Sequence, residues 1–280
     1  MGKCVLVIKS ILPRPLKNLL KKIFYVSADC IDDLLGLRDP LIPKRTNIFT
    51  GGGNYKKTGE EFLKYFIEFG RLQPQEKVLD VGCGMGRMAV PLTKFLSSQG
   101  EYCGFDIVRD GVDWCLERFS PKFANFHFLH SDVYNKHYNS NGKYLAADYK
   151  FPYKDNSFDF VYLTSVFTHM LPKDLQNYLA EISRVLKPGG RCLITYFLLN
   201  PESNGLIRTG LSSFNFIYEI EGCFTSNEND PEDAIAYNED HIRDLYQKFQ
   251  LKIMDPVHFG SWCGRNAFTS YQDMIVAYKL

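Results

Sequence analysis

The sequence predicts an α/β fold in which a doubly wound, mainly parallel sheet carries helices on both faces. Two observations predict it. From residue 77 onward, short apolar runs alternate with segments whose apolar residues recur at helical spacing. In addition, residues 157–165 (SFDFVYLTS) are too apolar to be exposed on either face, which is typical of a central strand of a parallel sheet. With 280 residues and 45% hydrophobic content, the chain is long enough to bury such a sheet.

The predicted elements follow one another in regular order. The strands are residues 77–82, 101–108, 125–130, 157–165, 191–199, 251–259 and 271–280. The helices between them are residues 86–96, 110–119, 173–186 and 238–249, and the first of these is compromised by Pro91. Residues 187–190 (KPGG) stop the third helix. Residues 200–237 lose the alternation, and we expect this insert to act as a substrate cap.

The first 56 residues differ in character from the rest of the chain, and we expect them to form a leader or cap. Residues 15–25 place Leu16, Leu19, Leu20, Ile23 and Phe24 on one helical face. We favour a helix docked on the domain, because amphipathic helices are common in globular proteins. The alternative is a helix that contacts a membrane surface or covers a substrate. Prolines and a triple glycine indicate that residues 26–56 are irregular.

The main domain is predicted to span residues 57–280 and to open with a helix of about three turns. Thr58 and Glu61 have the spacing of a capping box at the start of this helix. Aromatic residues then recur at helical spacing through the segment.

Composition argues against several classes of protein. The net charge of +1 lacks the excess of basic residues that is usual in nucleic-acid-binding proteins, so we do not expect nucleic acid as a partner. Eight cysteines without CxxC pairs indicate reduced thiols, a cytoplasmic location and no structural zinc. No apolar run reaches the ~20 residues that cross a bilayer. Lys9 interrupts the apolar stretch near the start, so we predict no signal peptide.

Residues 80–87 (DVGCGMGR) connect the first predicted strand to the first helix. Glycines at 82, 84 and 86 permit positive φ and close approach of a ligand to the main chain. A dinucleotide fingerprint requires its third glycine one position later, where Arg87 stands, and a phosphate loop of nucleoside triphosphatases ends in Gly-Lys-Ser/Thr. Asp80 precedes the first glycine and would repel a pyrophosphate, whereas it suits a cationic ligand.

Four further segments occur in a matching order. Asp106 ends the second predicted strand, residues 130–133 end the third, residues 151–159 lead into the fourth, and residues 186–190 precede the fifth. With the loop of the form D-x-G-x-G-x-G, they resemble the class I S-adenosylmethionine-dependent methyltransferases. The resemblance implies a Rossmann-like sheet of about seven strands whose last strand is antiparallel.

The resemblance also implies S-adenosylmethionine as the cofactor. It assigns cofactor binding to Asp80, Gly82, Cys83, Gly84, Gly86, Arg87, Asp106, Ile107, Asp132, Val133, Thr164 and Ser165. In the family, the acid at Asp106 binds the ribose hydroxyls, the acid at Asp132 accepts from the adenine amino group, and the next backbone amide meets the ring. The alternative role of Asp106 and Asp132 is to cap the helices that follow them.

His169, shortly after the fourth predicted strand, is the candidate catalytic base because imidazole titrates near neutrality. The alternative is that it only packs beside the cofactor. We predict no metal, since the acids that the magnesium-dependent members carry after strand four are absent. The expected reaction is an O-directed methyl transfer to a small organic acceptor. An RNA or protein methyltransferase and a non-catalytic cofactor-binding subunit remain alternatives, and a nicotinamide oxidoreductase is disfavoured by the position of the third glycine.

Overall fold

The computed structural model describes residues 14–49 and 51–280, so the signal-peptide prediction at the start of the chain lies outside the described residues. The chain divides into two compact units, Met1–Tyr55 and Lys56–Leu280. Within the described ranges, no helix combines the length and the apolar character needed to cross a membrane.

The first unit contains helix α1 (Arg14–Leu34) followed by an irregular segment. Our prediction that residues 26–34 are irregular is wrong, because the helix that we placed at residues 15–25 continues through them. The helix continues through residues 26–34 because of contacts with residues that follow it. Asp29 on α1 accepts hydrogen bonds from Arg38 at 3.1 Å and from Arg45 at 3.0 Å, which fold the following residues back against the helix.

The second unit is built on a seven-stranded sheet. Its strands are β1 (Lys77–Val81), β2 (Glu101–Asp106), β3 (Phe126–His130), β4 (Phe158–Leu163), β5 (Leu186–Tyr196), β10 (Leu251–Ile253) and β11 (Asp273–Lys279). Their order is β10-β11-β5-β4-β1-β2-β3. Strands β1 to β5 pair in parallel, whereas β11 is antiparallel to both β5 and β10. The predicted Rossmann-like α/β fold with an antiparallel last strand is confirmed.

The helices of this unit are α2 (Tyr55–Glu68), α3 (Ala89–Phe95), α4 (Arg109–Arg118), α5 (Pro172–Val185), α6 (Pro201–Arg208) and α7 (Glu239–Lys248). Pro91 does not disrupt α3, because the helix starts at Ala89 and the proline lies in the first turn, where a missing N–H costs little. The predicted capping box of Thr58 and Glu61 is wrong, since α2 already begins at Tyr55. Phe66 of α2 stacks on Tyr162 of β4, with ring centroids 4.3 Å apart.

The insert, residues 200–237, is more regular than its sequence suggested. It contains α6, a hairpin of β7 (Tyr218–Ile220) and β8 (Cys223–Thr225), and the start of β9 (Ile235–Asn238). With β6 (Leu198–Leu199), these strands form a second sheet in the order β6-β9-β8-β7. At the start of α6 the Asn200 side chain accepts from the Ser203 N–H while the Ser203 hydroxyl accepts from the Asn200 N–H, which forms a capping box.

Candidate active site

The carboxyl ends of β1 to β4 lie at one edge of the sheet, because these strands run parallel in neighbouring positions. Every predicted site residue lies on or just after one of these strands. Residues 80–87 follow or end β1, residues 106–107 end β2, residues 132–133 follow β3, and residues 164–169 follow β4. The topology therefore brings the predicted positions to a common edge, where ligands of open α/β sheets bind.

The glycine loop after β1 is fixed to the end of β2 by its own backbone. The Phe105 carbonyl accepts from the N–H groups of Gly82 at 2.9 Å and Cys83 at 3.0 Å. The Gly84 N–H donates to Oδ2 of Asp106 at 2.7 Å. The loop and the acid that we assigned to the ribose are thus one hydrogen-bonded unit.

The loop requires glycine for two reasons. The three glycines have positive φ, at 84° for Gly82, 53° for Gly84 and 80° for Gly86. A Cβ on Gly82 would lie 2.5 Å from Cγ2 of Val166, and a Cβ on Gly86 would lie 3.0 Å from the Phe119 ring. The glycines therefore let the loop pass close to the segment after β4 and to the residues that end α4.

Two other predicted residues complete the loop. Cys83 is buried, and burial raises the pKa of its thiol well above the ordinary value. Arg87 is half-buried, and its carbonyl oxygen lies 2.5 Å from the position that a Cβ on Gly59 of α2 would occupy. The loop is thus closely packed against α2.

Asp80, at the base of the loop, is fully buried and held by two tyrosines. Its Oδ2 accepts from the hydroxyls of Tyr102 at 2.8 Å and Tyr162 at 2.9 Å. Its Oδ1 is buried without a hydrogen-bond partner. Burial raises the pKa of Asp80 to about 7, although the two tyrosine hydroxyls oppose the rise. Neither tyrosine was predicted as a site residue, because the only signal of each is a polar hydroxyl within an apolar strand.

Asp106 accepts hydrogen bonds from two backbone N–H groups, the Val108 N–H on Oδ1 at 2.8 Å and the Gly84 N–H on Oδ2. Burial raises its pKa, and the N–H donors oppose that rise. Each carboxylate oxygen has a second lone pair, so Asp106 can still accept from a vicinal diol. Ile107 is half-buried, and its carbonyl lies 3.1 Å from Nε2 of His130.

Asp132 and Val133, the residues assigned to adenine, already interact with other groups of the protein. Oδ1 of Asp132 accepts from the Asn139 side-chain amide at 3.3 Å, and Oδ2 lies 3.5 Å from the Lys143 ammonium. The Val133 N–H donates to the Ser131 carbonyl at 2.8 Å. In this structure the amide expected at the adenine ring is therefore used inside the turn. The Asp132 carboxylate remains 31% exposed and can accept another donor.

The segment after β4 is held from β5 and from the start of β11. Ser165 has φ of 59°, which is rare for a residue with a side chain. Its N–H donates to Oγ1 of Thr195 at 2.7 Å, and its hydroxyl donates to Oε1 of Gln272 at 2.9 Å. Thr164 beside it is half-buried and Ser165 is exposed. The unusual backbone is thus held by contacts to distant residues that the sequence did not single out.

His169 ends the short 3-10 turn Phe167–His169 and is half-buried. Its Nδ1 lies 2.8 Å from the carbonyl oxygen of Glu232 in the insert. Because a carbonyl can only accept, Nδ1 carries the hydrogen, and Nε2 of the neutral ring keeps a free lone pair. The Tyr138 ring meets the imidazole edge-on, with centroids 6.5 Å apart.

A cavity of about 530 Å³ lies away from this edge. It is lined by Lys150, Phe151, Pro152, Tyr153, Lys154, Asp155 and Arg184, which precede β4 or end α5. These residues surround the amino end of β4, so the cavity is separate from the glycine loop. Among residues 14–49 and 51–280, no cluster of His, Cys, Asp and Glu is suited to hold a metal ion.

The fold and the loop define a class of protein. The strand order, the antiparallel β11 and the glycine loop tied to the acid of β2 resemble those of class I S-adenosylmethionine-dependent methyltransferase domains. Residues 79–194 match the family model described as a methyltransferase domain, and S-adenosylmethionine is the cofactor of this class. The resemblance found in the sequence is confirmed.

Relatives extend this likeness over part of the chain. The chain is 28% identical over 154 residues to a ubiquinone/menaquinone biosynthesis C-methyltransferase of Teredinibacter turnerae, covering 55% of each chain. It is 29% identical to phosphoethanolamine N-methyltransferase 1 of Arabidopsis thaliana, over 55% of this chain and 27% of the relative. The chain thus spans about half or less of the length of these curated relatives. Relatives named for C-, N- and O-transfer all occur.

Solved structures share the fold. A crystal structure of a protein from Pyrococcus horikoshii OT3 superposes with a TM-score of 0.56 at 20% identity, over 85% of this chain and 96% of that chain. At this identity, the likeness extends to the fold alone.

Proposed function

We propose that this protein transfers a methyl group from S-adenosylmethionine to a hydroxyl of a small organic acceptor, with His169 as the base. The observation that carries the proposal is the 2.8 Å contact between Nδ1 of His169 and the Glu232 carbonyl, since it requires a hydrogen on Nδ1 and leaves Nε2 of the neutral ring to accept a proton. The cofactor-binding residues in this proposal are Asp80, Gly82, Cys83, Gly84, Gly86, Arg87, Asp106, Ile107, Asp132, Val133, Thr164 and Ser165.

The charges at the glycine loop suit a cationic ligand. Asp80 and Asp106 are both buried, and their hydrogen bonds come from neutral hydroxyl and N–H groups. Burial disfavours the ionised form of each acid. A positive charge bound beside the loop would stabilise both carboxylates. S-adenosylmethionine, when bound, supplies that charge and an activated methyl group on its sulfonium.

His169 supports an acceptor that must lose a proton. A hydroxyl becomes a good nucleophile only when its proton is removed during attack, and Nε2 of His169 can take that proton. The Nδ1–H hydrogen bond to the Glu232 carbonyl persists after protonation and stabilises the imidazolium. A neutral amine has less need of such a base, because its nitrogen already carries a nucleophilic lone pair, which is why we favour O-transfer over N-transfer.

Two loop segments meet beside His169. Asp230 of the insert accepts from the Lys136 ammonium at 3.1 Å and lies 3.0 Å from Nε2 of His137. Since Tyr138 and Glu232 both contact His169, we propose that residues 135–150 and the insert 200–237 enclose the acceptor. We also propose that residues 1–56 form a leader or cap and that residues 57–280 form the catalytic domain.

We also propose a cytoplasmic location. The seven cysteines within the described ranges are free, which is typical of a reducing compartment.

The cofactor assignment is tested by calorimetric titration with S-adenosylmethionine. We expect Asp106→Ala to weaken binding at least ~10-fold, since it removes the ribose acceptor and releases Gly84. Asp113→Ala, at an exposed acid of α4, is the matched control and should leave S-adenosylmethionine binding unchanged. Unchanged binding by Asp106→Ala would exclude the ribose assignment.

The acceptor class is tested with methyl-labelled S-adenosylmethionine and cell extract. Label in the small-molecule or lipid fraction supports the proposal and yields a compound to identify. Label in RNA or protein would favour a macromolecular acceptor, and absence of label despite measured cofactor binding would favour a non-catalytic subunit.

The base is tested with His169→Asn, whose amide nitrogen can retain the hydrogen bond to the Glu232 carbonyl but has no basic Nε2. We expect kcat to fall by ~10²- to 10⁴-fold with unchanged cofactor affinity. His241→Asn, at an exposed histidine of α7, is the control. A variant with wild-type kcat would show that His169 only packs in the site.

A further inference from the structure

Helix α1 exposes an apolar face along its whole length. The face consists of Leu16, Leu19, Leu20, Ile23, Phe24, Ile31 and Leu34, each between 40% and 86% exposed. The spacing of three, four and seven residues puts these side chains on one stripe. A helix in a globular protein usually buries such a stripe, so its exposure over 21 residues calls for a partner.

The opposite side of α1 is the side that is anchored within its own unit. Asp29 is 3% exposed and accepts from the Arg38 guanidinium, the Arg45 N–H and guanidinium, and the Thr46 N–H. These donors lower the pKa of Asp29 to about 2 against the opposing effect of its burial. Asp32 pairs with Arg45. The segment that follows α1 therefore holds the helix by its polar side and leaves the apolar face outward.

The charge of α1 selects among possible partners. Its first nine residues include Arg14, Lys17, Lys21 and Lys22 and no acid. The acids in its second half are paired with cations of residues 38–45. Residues 1–55 contain nine Lys and Arg against four Asp and Glu, whereas the remaining residues contain 24 against 28. The exposed apolar face thus belongs to the cationic part of a chain that is otherwise slightly acidic.

We infer that α1 binds the surface of an anionic lipid bilayer, with its apolar face at the boundary of the acyl chains and its cations among the headgroups. At ~1.5 Å per residue the helix would lie along the surface over about 30 Å. Each cation near an anionic surface strengthens binding by about fivefold. A second copy of the chain is a weaker candidate, because the acids of α1 are already paired and would offer its cations no anionic partner. The inference does not depend on the proposed reaction.

The test is co-sedimentation of the full chain with vesicles, without cofactor or acceptor. We expect binding to phosphatidylcholine vesicles that contain roughly one third phosphatidylserine, weaker binding to pure phosphatidylcholine, and loss of binding at high salt. The double variant Leu20→Gln, Phe24→Gln should weaken binding at least ~10-fold. Lys21→Gln with Lys22→Gln should weaken binding to the anionic vesicles by about 25-fold, at ~1 kcal/mol for each cation, and leave the weak binding to phosphatidylcholine unchanged.

Leu116→Gln with Phe268→Gln is the matched control, since these side chains are similarly exposed outside α1. It should bind like the wild type, and circular dichroism checks that all variants remain folded. Equal vesicle binding by the α1 double variant would overturn the inference. Absence of vesicle binding by the wild type would also overturn it; in that case, a dimer that Leu20→Gln, Phe24→Gln dissociates would identify a second copy as the occupant.

Discussion

Replacement of Asp80 by Asn should remove a pH-dependent loss of stability. Asp80 is fully buried, and its pKa of about 7 in the folded protein exceeds its ordinary value of 3.8. The folded state therefore binds the Asp80 proton more tightly than the unfolded state. Below pH ~4 both states are protonated and the acid has no pH-dependent effect. As the pH rises toward 7, only the unfolded state releases its proton, so the wild type loses stability over this window, and the loss is complete above pH 7.

The size of the loss follows from the two pKa values. At ~1.4 kcal/mol for each tenfold difference in proton affinity, the gap between 3.8 and about 7 corresponds to about 4 kcal/mol. Asn keeps an oxygen that can accept from Tyr102 and Tyr162, while its NH2 group is placed near the unpartnered Oδ1 position at a cost of ~1–3 kcal/mol that does not vary with pH.

The assay is urea unfolding of wild type and Asp80→Asn from pH 4.5 to 8, taken as the difference between them at each pH. Asp273, whose pKa is raised to about 6 by burial, is common to both proteins and cancels in the difference. Tyr162→Phe should shift the transition to higher pH, because it removes a hydroxyl that stabilises the ionised acid. A difference that stays constant with pH, or that favours the wild type as pH rises, would refute the reasoning.

Two further substitutions test how the site is supported. Gly82→Ala should destabilise the protein by ~2–3 kcal/mol and weaken cofactor binding, since alanine at positive φ would clash with Val166. In urea unfolding, the additional substitution Val166→Ala should recover part of this loss of stability. Gly205→Ala, in an uncrowded helical position, is the control and should not destabilise the protein. Arg191→Lys should lower the free energy of unfolding by ~1–2 kcal/mol in the same assay, because lysine cannot reproduce the two hydrogen bonds of Arg191 to Glu76. A variant as stable as the wild type would contradict this prediction.

The sheet could be predicted because its information is local. Strands β1, β2 and β4 are short apolar runs, and burial on both faces leaves few polar positions to obscure the pattern. The glycine loop is local too, since positive φ at three glycines is required by the loop itself. The strands and the glycine loop could therefore be predicted before the order of the strands in the sheet was known.

Two of the misses fall where the determining contacts are distant in sequence, and a third concerns the exact start of a helix. Residues 26–34 were predicted to be irregular, yet the ion pairs of Asp29 with Arg38 and Arg45 stabilise a helix there. Helix α2 begins at Tyr55 rather than at Thr58, because an intact capping-box pattern can lie inside the first turn of a helix that starts earlier. The two tyrosines on Asp80 come from strands on either side of β1, a relation that only the sheet order reveals.

The same distinction separates the two halves of the candidate site. The loops that immediately follow β1 and β2 carry most of the candidate cofactor-binding residues, and these could be named from the sequence because each follows its strand directly. After β4, by contrast, the conformation of Ser165 depends on Thr195 and Gln272, and the orientation of His169 depends on Glu232. These partners are 30 to 107 residues away along the chain. The methyltransferase-domain match covers residues 79–194, and Thr195, Glu232 and Gln272 lie outside it, so the contacts that hold Ser165 and His169 are not part of the matched segment.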